Sequence, residues 1–532
     1  MMRLFAWFLG VAVATLFLVS ACTPVTDVAD RNSDRITIGI TAKIRTLDPA
    51  EADNFISSNI LFNTTERLYD YRTGTTELVP VLAQDFPRVS SDGLTYTIPV
   101  RTGIKFHDGS DFDAEAMAFA LQRVLKINGA PAQRLNVIKS ISAPRPDTLV
   151  IELKQPVSFL TRLLAFTGAS AISPKSYGDK PLPNRIIGTG KYKLVSYQEG
   201  TALKLDKFPD YWGEPAQNRG IDLQIFSSSA NLFNAFKIGQ VDVAFQTLSP
   251  AQVQNLVRTA DKQQWQIASN KGNTMLFMVM NLQQPPTDNP LVRKAIASAI
   301  DRELLAERVF QHQRSPVYSL IPSTFTSYKP TFQQYEPDQT ITYLKQAGYS
   351  QQNPVQVSIW YSPRYAGNGD LVASYLKAII EKNSRRIIQV KTERIDTTIA
   401  DSLLDKGTYT YPIFLRDWVP DYLDADNFIE PLVTCDRANA QNICTAGNTA
   451  YWGSFYYNPD INQLTTAQRT TTDPQTRLQI LQQIQTILAK DIPYLPLWQN
   501  REYAFGKANI RGLAIEPTQQ LDYSKIYRDD RI

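Results

Sequence analysis

Histidine occurs twice and cysteine three times among 532 residues. The two histidines, His107 and His312, are far apart, and no CxxC pair exists. That argues against a zinc centre, whose ligands come as closely spaced Cys and His. Nucleophile-elbow, HExxH and P-loop patterns are missing as well, so no familiar catalytic signature supports an enzyme. His107, in "KFHDG", follows a strand-like run and precedes a turn; a structural turn residue is expected there rather than a general base. No basic stripe with interleaved aromatics occurs and the formal net charge is only +4, so nucleic acid is not an expected partner. Beyond the N-terminal stretch no apolar run approaches membrane-spanning length. Internal repeats and low-complexity tracts are absent too. The length suggests roughly three structural domains or two large lobes.

What is present begins at the N-terminus. "MMRLFAWFLGVAVATLFLVSAC" has Arg3, an apolar run from Leu4 to Val19, then Ser20, Ala21 and Cys22. This is the order of an export signal, residues 1–21. "LVSAC" also resembles a lipobox, in which Cys22 is lipidated and becomes the first mature residue. The polar stretch 22–34 suits a flexible tether between lipid and folded body. Export places the remaining cysteines in an oxidising compartment. Cys435 and Cys444 flank "DRANAQNI" and read as a disulfide closing a small loop, worth about 2.5 kcal/mol in the chain-entropy model. Two free thiols are the other reading.

Through the body, strand-like runs ("RITIGI", "LTYTIPV", "DTLVIELK", "IDLQIF", "VDVAF") alternate with helix-like ones. In "DAEAMAFALQRVLKI", Asp113 stands at an N-cap, and Met117, Ala120, Leu121, Val124 and Leu125 share one helical face. The rhythm predicts an α/β body with parallel or mixed sheets. Two stretches, 311–337 and 416–470, are rich in Pro, Tyr, Asn and Thr and lack periodicity, as functional or partly disordered segments do.

The second contains "DWVPDYLDADNF", 417–428, with four aspartates and three large aromatics in twelve positions. Aspartate suits neither helix nor strand interiors, and aromatics are normally buried. A calcium loop would need the EF-hand spacing, which is absent. A carboxylate pair for glycoside hydrolysis is open on sequence alone. A plain solvated loop would leave Trp418 and Tyr422 exposed without reason. One wall of a pocket for a cationic group accounts for the mixture best, because a charge enclosed away from water needs a carboxylate in its place.

Several stretches in order carry a resemblance. They are "TLDPA" (46–50), residues 82–124 including "RTGIKFHDGSDFDAEAMAFALQRV", "GTGKYKL" (188–194), "YWGEPAQNRGIDLQIF" (211–226), "FNAFKIGQVDVAF" (233–245), "NPLVRKAIASAID" (289–301) and "DWVPDYLDADNFIEPL" (417–432). Together they resemble the family 5 extracellular solute-binding proteins, the oligopeptide- and dipeptide-binding components of ABC importers. Departures stand at Ala116, Lys191 and Asp417, where the family usually has Asp, often Pro and commonly Gly; only the last touches the pocket.

The resemblance implies a type II, two-lobed α/β fold of the periplasmic binding-protein kind, with an additional domain on lobe I. Lobe I would comprise 35–68, 181–275 and 492–532, the additional domain 69–180, and lobe II 276–491. Ligand would be enclosed between lobes that close about a hinge. Asp421 matches the family position that pairs with a peptide's α-ammonium group, with Trp418 and Tyr422 walling the pocket. The backbone of Thr41, Ala42 and Lys43 would run beside the ligand in β-like pairing. Arg364, in "WYSPRYAGNGD", stands roughly where dipeptide-binding relatives hold the ligand carboxylate. A peptide ligand, permease subunits and a membrane reached through the lipid are the implied partners; no cofactor or metal is implied, and a monomer is expected, in the periplasm or on the cell surface. A nickel chelate, opine or oligosaccharide is the alternative cargo, and a secreted hydrolase the alternative class.

Overall fold

Ile36, Ile38 and Ile40 alternate along the strand Arg35–Ile40 and are buried together on one face. On the other face stands Gly39, where a Cβ would lie 2.5 Å from a Leu232 methyl; glycine lets the helix Ser229–Ile238 pack close. The computed structural model describes residues 34–532 apart from 42, 247, 363–368, 397–398, 400–401, 404–410, 421, 530 and 532.

That strand belongs to an eleven-stranded mixed sheet that runs through both lobes. From one edge its order is Tyr192–Gln198, Ala202–Lys207, Gly220–Ile225, Arg35–Ile40, Val243–Phe245, Tyr494–Gly506, Gln266–Met280, Ile413–Trp418, Val355–Tyr361 and Ile388–Arg394. Arg314–Pro316 pairs beside Tyr494–Gly506. The two longest strands, Gln266–Met280 and Tyr494–Gly506, are antiparallel partners, and the two halves of each enter different apolar cores. Their register shifts between Lys271 and Met275 and again between Leu276 and Phe277. Such irregularities bend and twist a ribbon, which suits the place where two lobes meet. Asn500 fills the gap: its Oδ1 accepts from the Thr274 amide at 3.0 Å, and a Cβ on Gly272 would fall 2.1 Å from that oxygen.

Each part has its own apolar core. Met275–Met280, Ile296, Leu344, Val357 and Leu376 centre lobe II. The additional domain is a four-stranded antiparallel sheet, Arg88–Val89, Thr95–Pro99, Thr148–Leu153 and Ile138–Arg145 in order, covered by the helix Ala114–Ile127. Asp113 caps that helix, accepting from the Ala116 amide at 2.9 Å, and Asn128 ends it in the left-handed region, φ 58°. From the helix, Arg123 reaches the "TLDPA" segment and forms a fully buried, two-pronged pair with Asp48, at 2.8 and 2.6 Å.

His107 is buried beside "GTGKYKL". The Gly188 amide donates to its Nδ1 at 3.3 Å, so Nε2–H donates to the Gly190 carbonyl at 2.9 Å. Burial pushes the ring down to about 4, so it stays neutral and staples two segments.

The two aperiodic stretches are ordered by side chains instead of by repeat. Gln485, fully buried on the helix Pro474–Asp491, accepts from Ser319 Oγ at 2.7 Å and the Lys329 amide at 2.8 Å, and donates to the Ser327 carbonyl at 2.8 Å. Arg302 similarly donates to the carbonyls of Pro496 and Gln333. Within 416–470 lie short helices and strands, among them Glu430–Val433, Arg437–Ala438, Cys444–Ala446 and Pro459–Thr470. Cys435 and Cys444 are bonded, with an S–S distance of 2.06 Å and Cα atoms 5.8 Å apart. No helix among the described residues is long and apolar enough to cross a membrane.

Candidate functional site

The strand Ile413–Trp418 pairs with Gln266–Met280, setting Trp418 opposite Met275 and Asp417 opposite Leu276, beside the irregular centre of the ribbon. Successive residues of a strand face opposite ways. Asp417 accordingly lines one cavity, of about 470 Å³, and Trp418 another, of about 720 Å³. Both lie between parts of the molecule that belong to different cores.

The larger cavity has Trp418, Tyr422, Glu430 and Trp452 on the lobe II side, and Gln133, Arg134 and Phe159 on the additional domain. Trp418 stands edge-on to Trp452 at 5.5 Å between centroids, and its Nε1–H donates to Asn427 Oδ1 at 3.2 Å. A smaller cavity of about 170 Å³ collects Phe55 and Ser58 of the first helix, Phe55–Thr64, with its cap Asn54, Arg134 and Arg162 from the additional domain, and Pro420 and Tyr422. Tyr422 therefore borders both. Asp421 stands between Pro420 and Tyr422 in sequence, but it lies outside the described residues, as do Ala42, Arg364 and Cys22. Thr41, half-buried, and Lys43, exposed, follow the strand Arg35–Ile40 at its carboxyl end.

Two aspartates of the dodecapeptide have a different place. Asp424 is 3 % exposed and Asp426 fully buried, so the stretch is no solvated loop. Asp424 caps the single turn Ala425–Phe428 and receives both prongs of Arg477, at 3.0 and 2.5 Å, with Arg162 Nε at 3.3 Å. Burial pushes its carboxyl up, but Arg477 and Arg162 outweigh burial and hold it below the ordinary value. Arg162 comes from the additional domain, so Asp424 ties that domain to lobe II. Beside it Phe159 stacks flat on Tyr422, 5.5 Å between centroids and 9° between planes, beneath the guanidinium groups of Arg469 and Arg477. The Ser158 amide donates to the Arg469 carbonyl at 2.7 Å and Arg162 to the Leu423 carbonyl at 3.1 Å. Aromatic stacking plus arginine over a ring adds roughly 0.5–2 kcal/mol per contact to the apolar burial. No signal within the stretch itself points to Phe159, Arg162 or Arg477.

Asp426 accepts from the Tyr422 hydroxyl at 3.0 Å and from Gln468 Nε2, while Arg469 stays 3.7 Å away and also faces Glu430. Burial, with Asp424 and Glu430 nearby, raises its carboxyl to about 6 despite Arg469. The folded chain thus keeps a proton that the unfolded chain releases between about pH 4 and 6. The stability from this group is complete below pH 4 and is lost as pH rises through 6, about 3 kcal/mol in all. Asp426→Asn removes that titration and leaves an amide for Tyr422 and Gln468. Urea unfolding at pH 4.5 and 7.5 should show the variant gaining about 2 kcal/mol on the parent between the two, since about 1 kcal/mol is already lost at pH 4.5. An unchanged pH difference would mean that Asp426 ionises like an ordinary aspartate. Among the described residues no cluster of three or more His, Cys, Asp or Glu is placed to hold a metal ion.

This two-lobed frame with a cleft over a paired-strand ribbon has known counterparts. Residues 77–440 match the model of the bacterial extracellular solute-binding proteins, family 5. The chain belongs to that family. The glutathione-binding protein GsiB of Salmonella typhimurium (strain LT2) is 26% identical over 500 residues, covering 91% of this chain and 92% of GsiB. Among solved structures, the substrate-binding protein CtaP of Listeria monocytogenes superimposes with a TM-score of 0.80 at 18% identity, covering 94% of this chain and all of CtaP. The periplasmic binding protein DppA of Helicobacter pylori, in complex with the peptide STSA, gives 0.74 at 22% identity, covering 94% and 98%. These likenesses show the type II periplasmic binding-protein fold, with its two lobes and additional domain.

Proposed function

We propose that this family 5 protein is the receptor of an ABC importer for short peptides, held at a membrane surface by lipid on Cys22. The observation that carries the reading is the inter-lobe cleft flanked by Trp418, Pro420 and Tyr422, the residues that bracket Asp421. Aromatic walls with a few charged groups suit a small polar ligand that must shed water on closure. Peptide binding by the structural neighbour DppA, and glutathione binding by GsiB, support the same class. In this reading 35–68, 181–275 and 492–532 form lobe I, 69–180 the additional domain and 276–491 lobe II. Asp421 takes the α-ammonium group, the Thr41–Lys43 backbone runs beside the peptide, and Arg364 stands near the carboxyl end. The closed protein hands its ligand to permease subunits.

Calorimetric titration of the ligand-free mature protein with unblocked di- and tripeptides tests the cargo. Saturable binding is expected, and no binding by any of them would overturn the reading. The anchor has its own test. One acyl chain gives weak, reversible attachment and two give a stable one. Cys22→Ser should therefore leave the protein unprocessed or release it from the membrane fraction. Normal processing with unchanged retention would refute lipidation.

A further inference from the structure

The strand Arg35–Ile40 meets different surroundings at its two ends. At its carboxyl end the Ile40 carbonyl accepts from the Phe226 amide, and three residues on Ser229 lines the 470 Å³ cavity. Its amino end, where the polar stretch 22–34 joins the body, lies on the opposite side of lobe I. The sheet register collects the neighbours of that end. Gly220 stands opposite Arg35, the Asp242 amide donates to the Thr37 carbonyl, and the Lys507 amide donates to the Asp242 carbonyl. Arg528 reaches the same corner, donating to the Arg35 carbonyl and pairing with Asp242 at 2.6 Å. The helices Ser229–Ile238 and Pro250–Gln263 start beside the 470 Å³ cavity and run back across the sheet to end here.

The charges at this end do not cancel. Arg219 pairs with Asp34 at 3.2 Å, Arg528 with Asp242, and Arg531 with Asp529 at 3.0 Å. Lys237 and Lys262, in the last turns of the two helices, are exposed. Lys507 joins them: its Nζ donates to the Lys237 carbonyl at 3.2 Å and lies 5.2 Å from the centre of the Trp265 ring. Arg511 borders a recess of about 380 Å³ together with Asp261, Gln264, Trp265 and Ala508. Lysine at a helix C-terminus offsets the partial negative charge there. An apolar side chain does not, yet Ile238, the last residue of its helix, is 78 % exposed. Tyr527, opposite Arg511 in a short ladder, is also exposed.

Single exposed apolar residues are ordinary. Here the apolar tip stands among lysines, at the joint between the body and its membrane tether. Residues 23–34 span at most about 40 Å between Cys22 and Arg35, less than the roughly 60 Å width of a body of this size. The face that carries the joint is therefore the one held nearest the bilayer. Cations that meet anionic lipid, with apolar groups entering the headgroup layer, are the composition such a surface needs.

We propose that this face of lobe I docks on an anionic phospholipid surface, with Ile238 in the headgroup layer and Lys237, Lys262 and Lys507 against the phosphates. The proposal deepens the lipid-anchored reading above and rests on it. Docked in this way, the body turns the far end of the strand Arg35–Ile40, and with it the cleft, towards solution. Ligand is then captured while the body lies on the membrane.

Co-sedimentation of the purified mature chain carrying Cys22→Ser separates the face from the lipid anchor. The probes are vesicles of phosphatidylcholine, alone or with one-third phosphatidylglycerol, at low ionic strength. Binding to the anionic vesicles is expected, falling as salt is added, with little binding to the neutral ones. Lys237→Gln combined with Lys262→Gln should weaken it about 30-fold, near fivefold for each lysine removed from an anionic surface. Ile238→Ser should weaken it severalfold. Lys139→Gln combined with Lys345→Gln removes the same charge from the additional domain and lobe II, and should bind nearly as the parent does. All four lysines are exposed, so thermal unfolding of both pairs should match the parent. No binding to the anionic vesicles, equal binding to the neutral ones, or equal loss in the two lysine pairs would overturn the proposal. The anchor is decided apart from this: if Cys22→Ser is processed and retained in cells as the parent is, the lipid reading falls, and the vesicle result still decides the face.

Discussion

Replacing Asp48 by alanine should lower the unfolding free energy by about 3–5 kcal/mol, the cost of leaving a buried charge without its partner. Asp48 is fully buried and Arg123 is 1 % exposed at its side chain. The carboxylate accepts two bonds from Arg123, one from the Ala50 amide at 3.0 Å and one from the Leu182 amide at 2.7 Å. The guanidinium also donates to the carbonyls of Gly178 and Lys180 and lies 5.0 Å over Tyr177. Removing the carboxylate strands that guanidinium and two amides in a dry interior. The pair itself is a weaker contributor than the loss suggests, because two charges were desolvated to make it. Asp48→Leu combined with Arg123→Met should therefore recover much of the loss. Equilibrium urea unfolding checks both outcomes; a loss under about 1 kcal/mol for Asp48→Ala would mean that water reaches the pair. The pair joins the segment before the first helix to the additional domain, and that helix presents Asn54, Phe55 and Ser58 to the cleft. A packing device thus sets one wall of the site.

The second large effect is on binding. Asp421→Ala should weaken peptide affinity about 30- to several-thousand-fold, or roughly 2–5 kcal/mol, if Asp421 neutralises the α-ammonium group in a closed, dry cleft. N-acetylating the peptide should cost the parent protein a similar amount and the variant little more, the non-additivity of a direct contact. Stability without ligand should change little. Asp424 and Asp426 give the contrast. Both are buried in contacts within the protein, so their replacement should act mainly on stability, while Asp421→Ala acts on affinity. Equal loss of affinity at all three positions, or rescue by a divalent cation, would return the loop to the metal reading.

How much of this the sequence discloses depends on the distance between partners. Asp113 as a helix cap and the alternating isoleucines of Arg35–Ile40 are legible because cap and strand are local patterns. The dodecapeptide is legible only as a contradiction, aspartates in aromatic company. Its resolution lies in Phe159, Arg162, Arg469 and Arg477, which the fold brings from other segments. The order within 311–337 is invisible for the same reason: Gln485, on a distant helix, supplies the bonds that periodicity would otherwise supply.

The central claim is that the cleft encloses a short peptide. Native mass spectrometry of the protein purified without denaturation, followed by tandem sequencing of whatever is released on unfolding, tests it most directly. A bound population of short peptides with free amino and carboxyl groups is the expected result. A metal chelate, an opine or a sugar released in stoichiometric amount would contradict it.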